Sequence, residues 1–442
     1  MLADEIPQAI QWHEGMLLSP QHFQQSSWRQ EMLVQYSMLL TAPYGWGVRR
    51  LALDTKLLPG GTVRVLDLEA VLPDGTLISH RPAEGHELSI DLTADDSLPR
   101  QADVTVYLTL PARQSGRFKG GLARYEAVEG DSVADENTGE GEIRIPVLRP
   151  RVSLAAGNTP PPKYVSMPIA RVRFADEACA QTDYIAPALA APPHSPLGEL
   201  CGDVAARLRE KAMHVSEQVR APSAVLDMPL LMENRGRMQC LVAGLPLFEA
   251  LLSSGTAHPL PLYLALCGVA GQLASLGPSL LPPVFSPYNH NDLRASFQEV
   301  VNYALRMANE GVPETYTALP FQLKDRMFSL MFDGAWLTRR LVLGMRTSTG
   351  ATEKETIAWG EECLIGSESM IGLMRNKRIR GSQREFVEKD QELVPVRGVV
   401  LFALRADAEF IKPGEALQIL NFSERGRASS PLEIVLYVKR GE

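Results

Sequence analysis

The sequence predicts a multidomain chain: an N-terminal β-sandwich, a central α-helical bundle and a C-terminal α+β head. Three observations carry this. The chain has 442 residues, about three times the roughly 150 that one domain usually takes. Its hydrophobic pattern changes from near-alternation to helical spacing and then to a mixture. A Pro- and Ala-rich stretch, Ala186 to Pro196, stands at the first change and reads as a semi-stiff linker. The expected boundaries are 1–175, 176–195 (linker), 196–312 and 313–442.

In the first part, Val63, Val65 and Ala70 to Leu72 lie among Arg64, Asp67 and Glu69, and Pro73-Asp74-Gly75-Thr76 has the Asp-Gly signature of a tight hairpin turn. Val104 to Leu110 and Tyr164 to Phe174 read as further strands, and many short strands favour a sandwich. Glu126 to Glu142, rich in Asp, Glu and Gly, reads as a long exposed loop. Residues 10–25, with Trp12, Met16 and Phe23 around Gly15 and Pro20, read as too irregular for one regular element; their apolar anchors suit a binding surface or, equally, aromatics tucked under the β domain.

After the linker, Ser195 is placed to cap and Pro196 to open a helix marked by Leu197, Cys201, Val204, Leu208, Val215 and Val219. A second helix is expected over 229–252, a third over 261–276 and a fourth over 291–309. The third lies in a stretch with no Asp, Glu, Lys or Arg between Glu249 and Asp292. A membrane span needs about 20 apolar residues; the best window, Leu262 to Leu276, is shorter and bounded by prolines, so a buried bundle helix is expected. Gly268, Gly271 and Ser275 would let another copy approach it closely in a trimer. In the last part, Leu341 to Met345, Val399 to Leu404, Leu417 to Phe422 and Ile434 to Val438 read as strands, Thr352-x-x-Glu355 as a capping box, and Ser367 to Arg375 as a short helix.

Composition excludes several functions. Hydrophobic residues at 45% and charged residues at 22% exclude a disordered chain. A net charge of −8 argues against neutralising nucleic-acid phosphates. The acidity is uneven: residues 315–442 hold 19 Lys or Arg against 17 Asp or Glu, +2, which leaves −10 for residues 1–314. The five cysteines, Cys179, Cys201, Cys240, Cys267 and Cys363, form no metal or redox pair. Asp4 and Glu5 stand where a secretory signal needs basic residues, so the cytoplasm is expected.

No phosphate loop, dinucleotide turn, nucleophile elbow or His-Glu-x-x-His pair occurs. His13-Glu14 begins like a zinc motif, but Leu17 occupies the second ligand position; neither metal nor cofactor is expected. Tyr288-Asn-His290-Asn-Asp292 gathers a phenol, an imidazole and a carboxylate and is the one place for a rival enzyme reading, although it precedes a helix and suits capping. Arg375, Lys377, Arg378, Arg380 and Arg384 form the one dense basic run, suited to phosphate or an acidic partner surface, or else merely solvated.

Trp12-x-Glu14-Gly-Met16-x-Leu18-x-Pro20-Gln-His22-Phe23-Gln24 resembles the opening signature of the TssK family, baseplate subunits of the bacterial type VI secretion system. Pro168-Ile-Ala-Arg171, Leu245-Pro-Leu-Phe-Glu249, His258-Pro, Ala270-Gly271-Gln and Pro287-Tyr-Asn-His290-Asn-Asp292 resemble later family segments in the same order. Ser367, Met370, Ile371, Leu373 and Leu401-Phe402 also fit, whereas Arg378-Ile-Arg380-Gly381 is more basic than the family's stretch. The resemblance implies a homotrimer with a phage-like shoulder, a helical neck and a head. It also implies that the shoulder, through Trp12, Glu14, Met16, Pro20, His22 and Phe23, holds the wedge proteins TssF and TssG. The head would meet the cytoplasmic parts of TssL and TssM at the inner face of the inner membrane, with the chain itself not inserted.

Overall fold

The structure, a computed structural model, describes residues 3–81, 87–95, 98, 102–113, 122–175, 178–220, 228–312, 316–324, 326–388, 393, 398–423 and 430–439. They divide into two compact units, one of 1–205, 246–270 and 283–303, the other of 206–245, 271–282 and 304–442.

The first unit opens with a helix that the sequence pattern hid. Helix α1, Pro20–Thr41, has its apolar residues on all sides and buries none of them, so no 3.6-residue stripe marks it. The expectation of irregular chain across residues 10–25 therefore holds only up to Ser19. Eight strands build the body: β1 (Gly47–Leu53), β2 (Thr62–Val71), β3 (Leu77–His80), β4 (Leu88–Asp91), β5 (Asp103–Pro111), β8 (Ser153–Gly157), β9 (Tyr164–Ala175) and β10 (Ala178–Gln181). They form two antiparallel four-stranded sheets, β1-β2-β3 with β4 beside β2, and β10-β9-β5-β8. Alternating residues of β2 (Val63, Val65, Ala70) and of β5 (Val104, Val106, Leu108) fill one shared core. The expected turn joins β2 to β3, with Gly75 at φ +82.

Of the expected loop 126–142, only 134–142 is one, an exposed turn; residues 126–133 are strand. β6 (Tyr125–Val133) and β7 (Ile143–Pro150) pair as a two-stranded ribbon. Carboxylates between the valines of β6 masked its alternation.

The Pro/Ala stretch is strapped along β1 rather than free: Val48 N donates to Pro187 O (2.8 Å) and Leu189 N to Val48 O (3.0 Å). Gly47, at φ +140, leaves room for it, since a Cβ there would lie 2.9 Å from Ala188 N.

Helix α2 (Pro196–Arg220) starts as expected, with Gly198 N donating to Ser195 Oγ (3.1 Å). The expected second helix is two, α3 (Met228–Val242) and α4 (Leu245–Ser254), broken at Ala243-Gly244. Helix α5 (Pro259–Leu273) continues as a 3-10 turn to Leu276, and α6 spans Leu293–Gly311. Within the first unit Leu197, Cys201, Phe248, Leu262, Leu266, Phe297 and Val300 are buried.

The second unit contains a five-stranded sheet, β11-β19-β14-β17-β16, and a four-stranded one, β12-β13-β18-β15. The strands are β11 (Tyr316–Pro320), β12 (Gln322–Lys324), β13 (Met327–Met331), β14 (Leu341–Arg346), β15 (Leu364–Ser367), β16 (Arg384–Val387), β17 (Val399–Leu404), β18 (Ala416–Leu420) and β19 (Glu433–Lys439). Phe328, Phe332, Leu343, Trp359, Phe402, Ile419 and Leu436 make its core. Helix α7 (Glu353–Glu362) begins at the expected Thr352/Glu355 capping box, and α8 (Glu368–Lys377) follows β15. β11, β12, β13, β15 and β16 carried no separate sequence signal: they are three to five residues long, too short for alternation to be read.

Candidate docking surfaces

The N-terminal arm is held at a few polar points and otherwise exposed. Ser19 caps α1 with Pro20 behind it, and His22 completes the cap by accepting at Nδ1 from Ser19 N (3.2 Å) and Ser19 Oγ (2.8 Å). The Trp12 ring stands 6.0 Å from that of His22. Gly15, at φ +78, turns the chain so that Met16 N meets His13 O, and leaves Met16 half-buried and Glu14 exposed. On the inner side of α1, Arg113 pairs with Glu31 (2.5 Å) and lies over Trp28 (5.6 Å), and the Arg29 guanidinium donates to Pro7 O. Trp12 and Leu18 before α1, and Phe23, Val34, Met38 and Leu40 around it, each keep at least half of their surface exposed. So much exposed apolar surface on one ordered arm suits an interaction site. The sequence pointed to Trp12, Met16 and Phe23; Val34, Met38 and Leu40 were missed because the helix itself was.

The Tyr288-to-Asp292 cluster joins elements instead of presenting a reactive group. His290 is buried; its Nε2 donates to Trp46 O (2.8 Å) and its Nδ1 accepts from Tyr288 OH (2.7 Å). His258 stacks on it at 5.3 Å, donating to Tyr44 O (2.9 Å) and accepting from Leu260 N (3.1 Å). Burial, with His258 beside it, pushes His290 down to about 4, and burial lowers His258 too, so both rings are neutral. Asn289 Oδ1 accepts from Asn291 N (3.0 Å), and Asp292 caps α6 by accepting from Ala295 N (3.0 Å) while pairing with Arg171 (3.0 Å). Every nitrogen of the two imidazoles is engaged, so neither is placed as a general base.

Beside this cluster is a shallow cleft of about 720 Å³ lined by Arg171, Arg173, Arg294, Asp103, Asp183 and Asp292. These pair among themselves as Arg171 with Asp292, Arg173 with Asp103 and Arg294 with Asp183.

Leu264, Gly268, Gly271 and Ser275 fall on one side of the α5 helix and its 3-10 extension. Leu264, Gly268 and Ser275 are exposed, Gly271 is half-buried, and a Cβ on either glycine would meet nothing within 4 Å. The 18 residues Pro259–Leu276 are long and apolar enough to cross a membrane, and half of them are buried against protein. Among the described residues no group of three His, Cys, Asp or Glu is arranged for a metal, and His13 and Glu14 are exposed while His22 serves as the cap.

The basic run divides in two. Arg375, Lys377, Arg378 and Arg380 are exposed, with Arg375 over the Phe422 ring at 4.6 Å. Arg384 instead turns inward. Its guanidinium donates to Gly360 O (2.6 Å), Glu361 O (2.9 Å) and Cys363 O, the carbonyls that α7 leaves unpaired at its C-terminus. Arg384 is thus held by the end of α7, unlike the four exposed members of the run.

A family model described as bacterial type VI secretion (EvfL, ImpJ, VasE), named T6SS_VasE, matches residues 22–399. The type VI secretion system baseplate component TssK1 of Pseudomonas aeruginosa is 31% identical over 330 residues, 68% of each chain. A crystal structure of TssK superposes with TM-score 0.62 at 19% identity, covering 98% of this chain and 100% of that one. The chain also matches TssK in a cryo-electron microscopy structure of the TssK–TssF–TssG baseplate subcomplex, with TM-score 0.58 at 20% identity over 69% of this chain and 99% of that one.

Proposed function

This chain belongs to the T6SS_VasE family, that of the TssK baseplate components of type VI secretion, and on that premise we propose that it is a structural adaptor of the baseplate without chemistry of its own. In this reading a sandwich shoulder (1–175) and its linker (176–195) lead into a helical neck (196–312) and a head (313–442), three copies assemble along the neck, and the trimer stands in the cytoplasm. The shoulder holds the TssF–TssG wedge. The head reaches the cytoplasmic parts of TssL and TssM at the inner membrane through Arg375, Lys377, Arg378 and Arg380.

The observation that carries the reading is the N-terminal arm, whose apolar side chains are exposed although its cap, its turn and the Arg113–Glu31 ion pair hold it in place. Such pre-ordering lowers the entropy lost on docking. Mixing the purified chain with TssF and TssG and weighing the complex tests it. A Trp12→Ala, Phe23→Ala double variant is expected to leave the melting temperature within a degree or two of wild type and to abolish the complex. A large fall in melting temperature with binding retained would assign both rings to the core, where such truncations cost about 3–5 kcal/mol.

For the trimer, Gly268→Glu is the sharp test. Nothing crowds that position, and replacing a helical glycine adds about 0.5–1 kcal/mol of helix propensity, so the single chain stays folded. Light scattering at micromolar concentration is expected to show a trimer for the wild type and a monomer for the variant; an unchanged mass would remove α5 from the interface.

A further inference from the structure

The β6–β7 ribbon projects from the sandwich with one side uncovered. At its root the buried Arg124 donates to Asp74 (2.6 Å), Thr76 (2.6 Å) and Pro111 O (2.7 Å), which fixes where it leaves the sandwich. Beyond the root it is a sheet of two strands only, nine and eight residues long and so about 30 Å in reach. Two strands alone are marginally stable in water.

The register sorts its side chains. Val133 faces Ile143 and Val128 faces Val147, and with Ile145 these make one apolar face. Ile143 is 62% exposed, and Val133, Ile145 and Val147 are 46–47% exposed. The opposite face is mixed: it carries Ser132, Arg144 and Glu129, the last two paired at 3.3 Å, together with Pro146 and an exposed Leu148. The bulge at Gly130 keeps the apolar side chains in register; a Cβ there would lie 2.3 Å from Ile145 O. An alternation maintained across a bulge, yet left about half exposed among the described residues, is the pattern of a surface made to be covered.

Charge selects what covers it. Seven carboxylates lie between Glu126 and Glu142 with no Lys or Arg among them, and residues 1–314 carry −10. A second copy would bring like charge against like, which is strongly disfavoured at an interface. We propose that the ribbon is a second docking element for the TssF–TssG wedge, and that the wedge surface covering Val128, Val133, Ile143, Ile145 and Val147 has an apolar centre and a Lys/Arg rim. This rests on the wedge reading above.

The test uses the full-length chain with purified TssF and TssG. Ile143→Thr, Ile145→Thr, Val147→Thr keeps β-branched residues in the strand while removing the apolar face. Glu136→Lys, Glu140→Lys reverses charge in the exposed turn and disturbs no packing. Each is expected to raise the wedge Kd at least tenfold with trimer mass unchanged, and the charge variant to flatten its salt dependence. If the threonine variant melts early, the charge variant decides alone. Wild-type binding in both ribbon variants, with binding lost in the Trp12/Phe23 variant, overturns the ribbon and leaves the arm standing. A ribbon variant that keeps the wedge but leaves the trimer assigns the face to a second copy and also overturns the proposal. A wild-type chain that binds no wedge removes both.

Discussion

His290→Ala is expected to destabilise the first unit by about 3–5 kcal/mol. The change strands Trp46 O and Tyr288 OH in a buried site, each costing about 1–3 kcal/mol, and opens a cavity among Tyr44, Trp46 and His258. Urea unfolding followed by Trp46 fluorescence checks it, since that ring meets His290 at 4.7 Å. The same site sets a pH dependence. His290 titrates at about 4 when folded against 6.5 unfolded, so between these values the unfolded chain binds more protons. Stability is full above pH 6.5 and is lost as the pH falls toward 4, by on the order of 3 kcal/mol at 1.36 kcal/mol per pH unit. In wild type the urea midpoint should drop between pH 7 and 5. In His290→Phe, where no proton can bind, that part of the drop should be absent; an equal drop would mean that other groups cause it.

Arg384→Ala is expected to cost about 2–4 kcal/mol, because the carbonyls of Gly360, Glu361 and Cys363 lose one charged donor together. Arg375, Lys377, Arg378 and Arg380 changed together to Gln should each contribute within about 0.5 kcal/mol, since they are exposed. That quadruple variant should instead slow association with the TssL or TssM cytoplasmic domains at low salt. Calorimetric melting of both variants separates the roles, and a stable Arg384→Ala chain would return this arginine to the partner surface.

The hairpin at Asp74-Gly75, the Ser195 cap, the Thr352/Glu355 box and the strands at 104–110 and 399–404 were legible because each depends on neighbours within a few residues. Helix α1 and the β6–β7 ribbon were not, because hydrophobic periodicity reports burial within the same chain, and neither element buries a face there. Arg384 could not be told from Arg380 for a related reason: the two share a residue type and a basic context, and only the return of β16 beside the end of α7 brings Arg384 to three backbone carbonyls there, where the exposed Arg380 reaches one, Glu361 O, at 3.3 Å.

By itself, then, the sequence determined what local physics determines: caps, turns, alternating core strands, an uncharged helix, and the arm residues whose order carries the family signature. Tertiary structure decided which polar groups meet across long separations. Trp46 with His290, Asp74 with Arg124 and Gly360 with Arg384 are pairs whose partners lie 24 to 244 positions apart. A buried donor must find an acceptor wherever the fold brings one within about 3 Å, and spacing along the chain does not encode that distance.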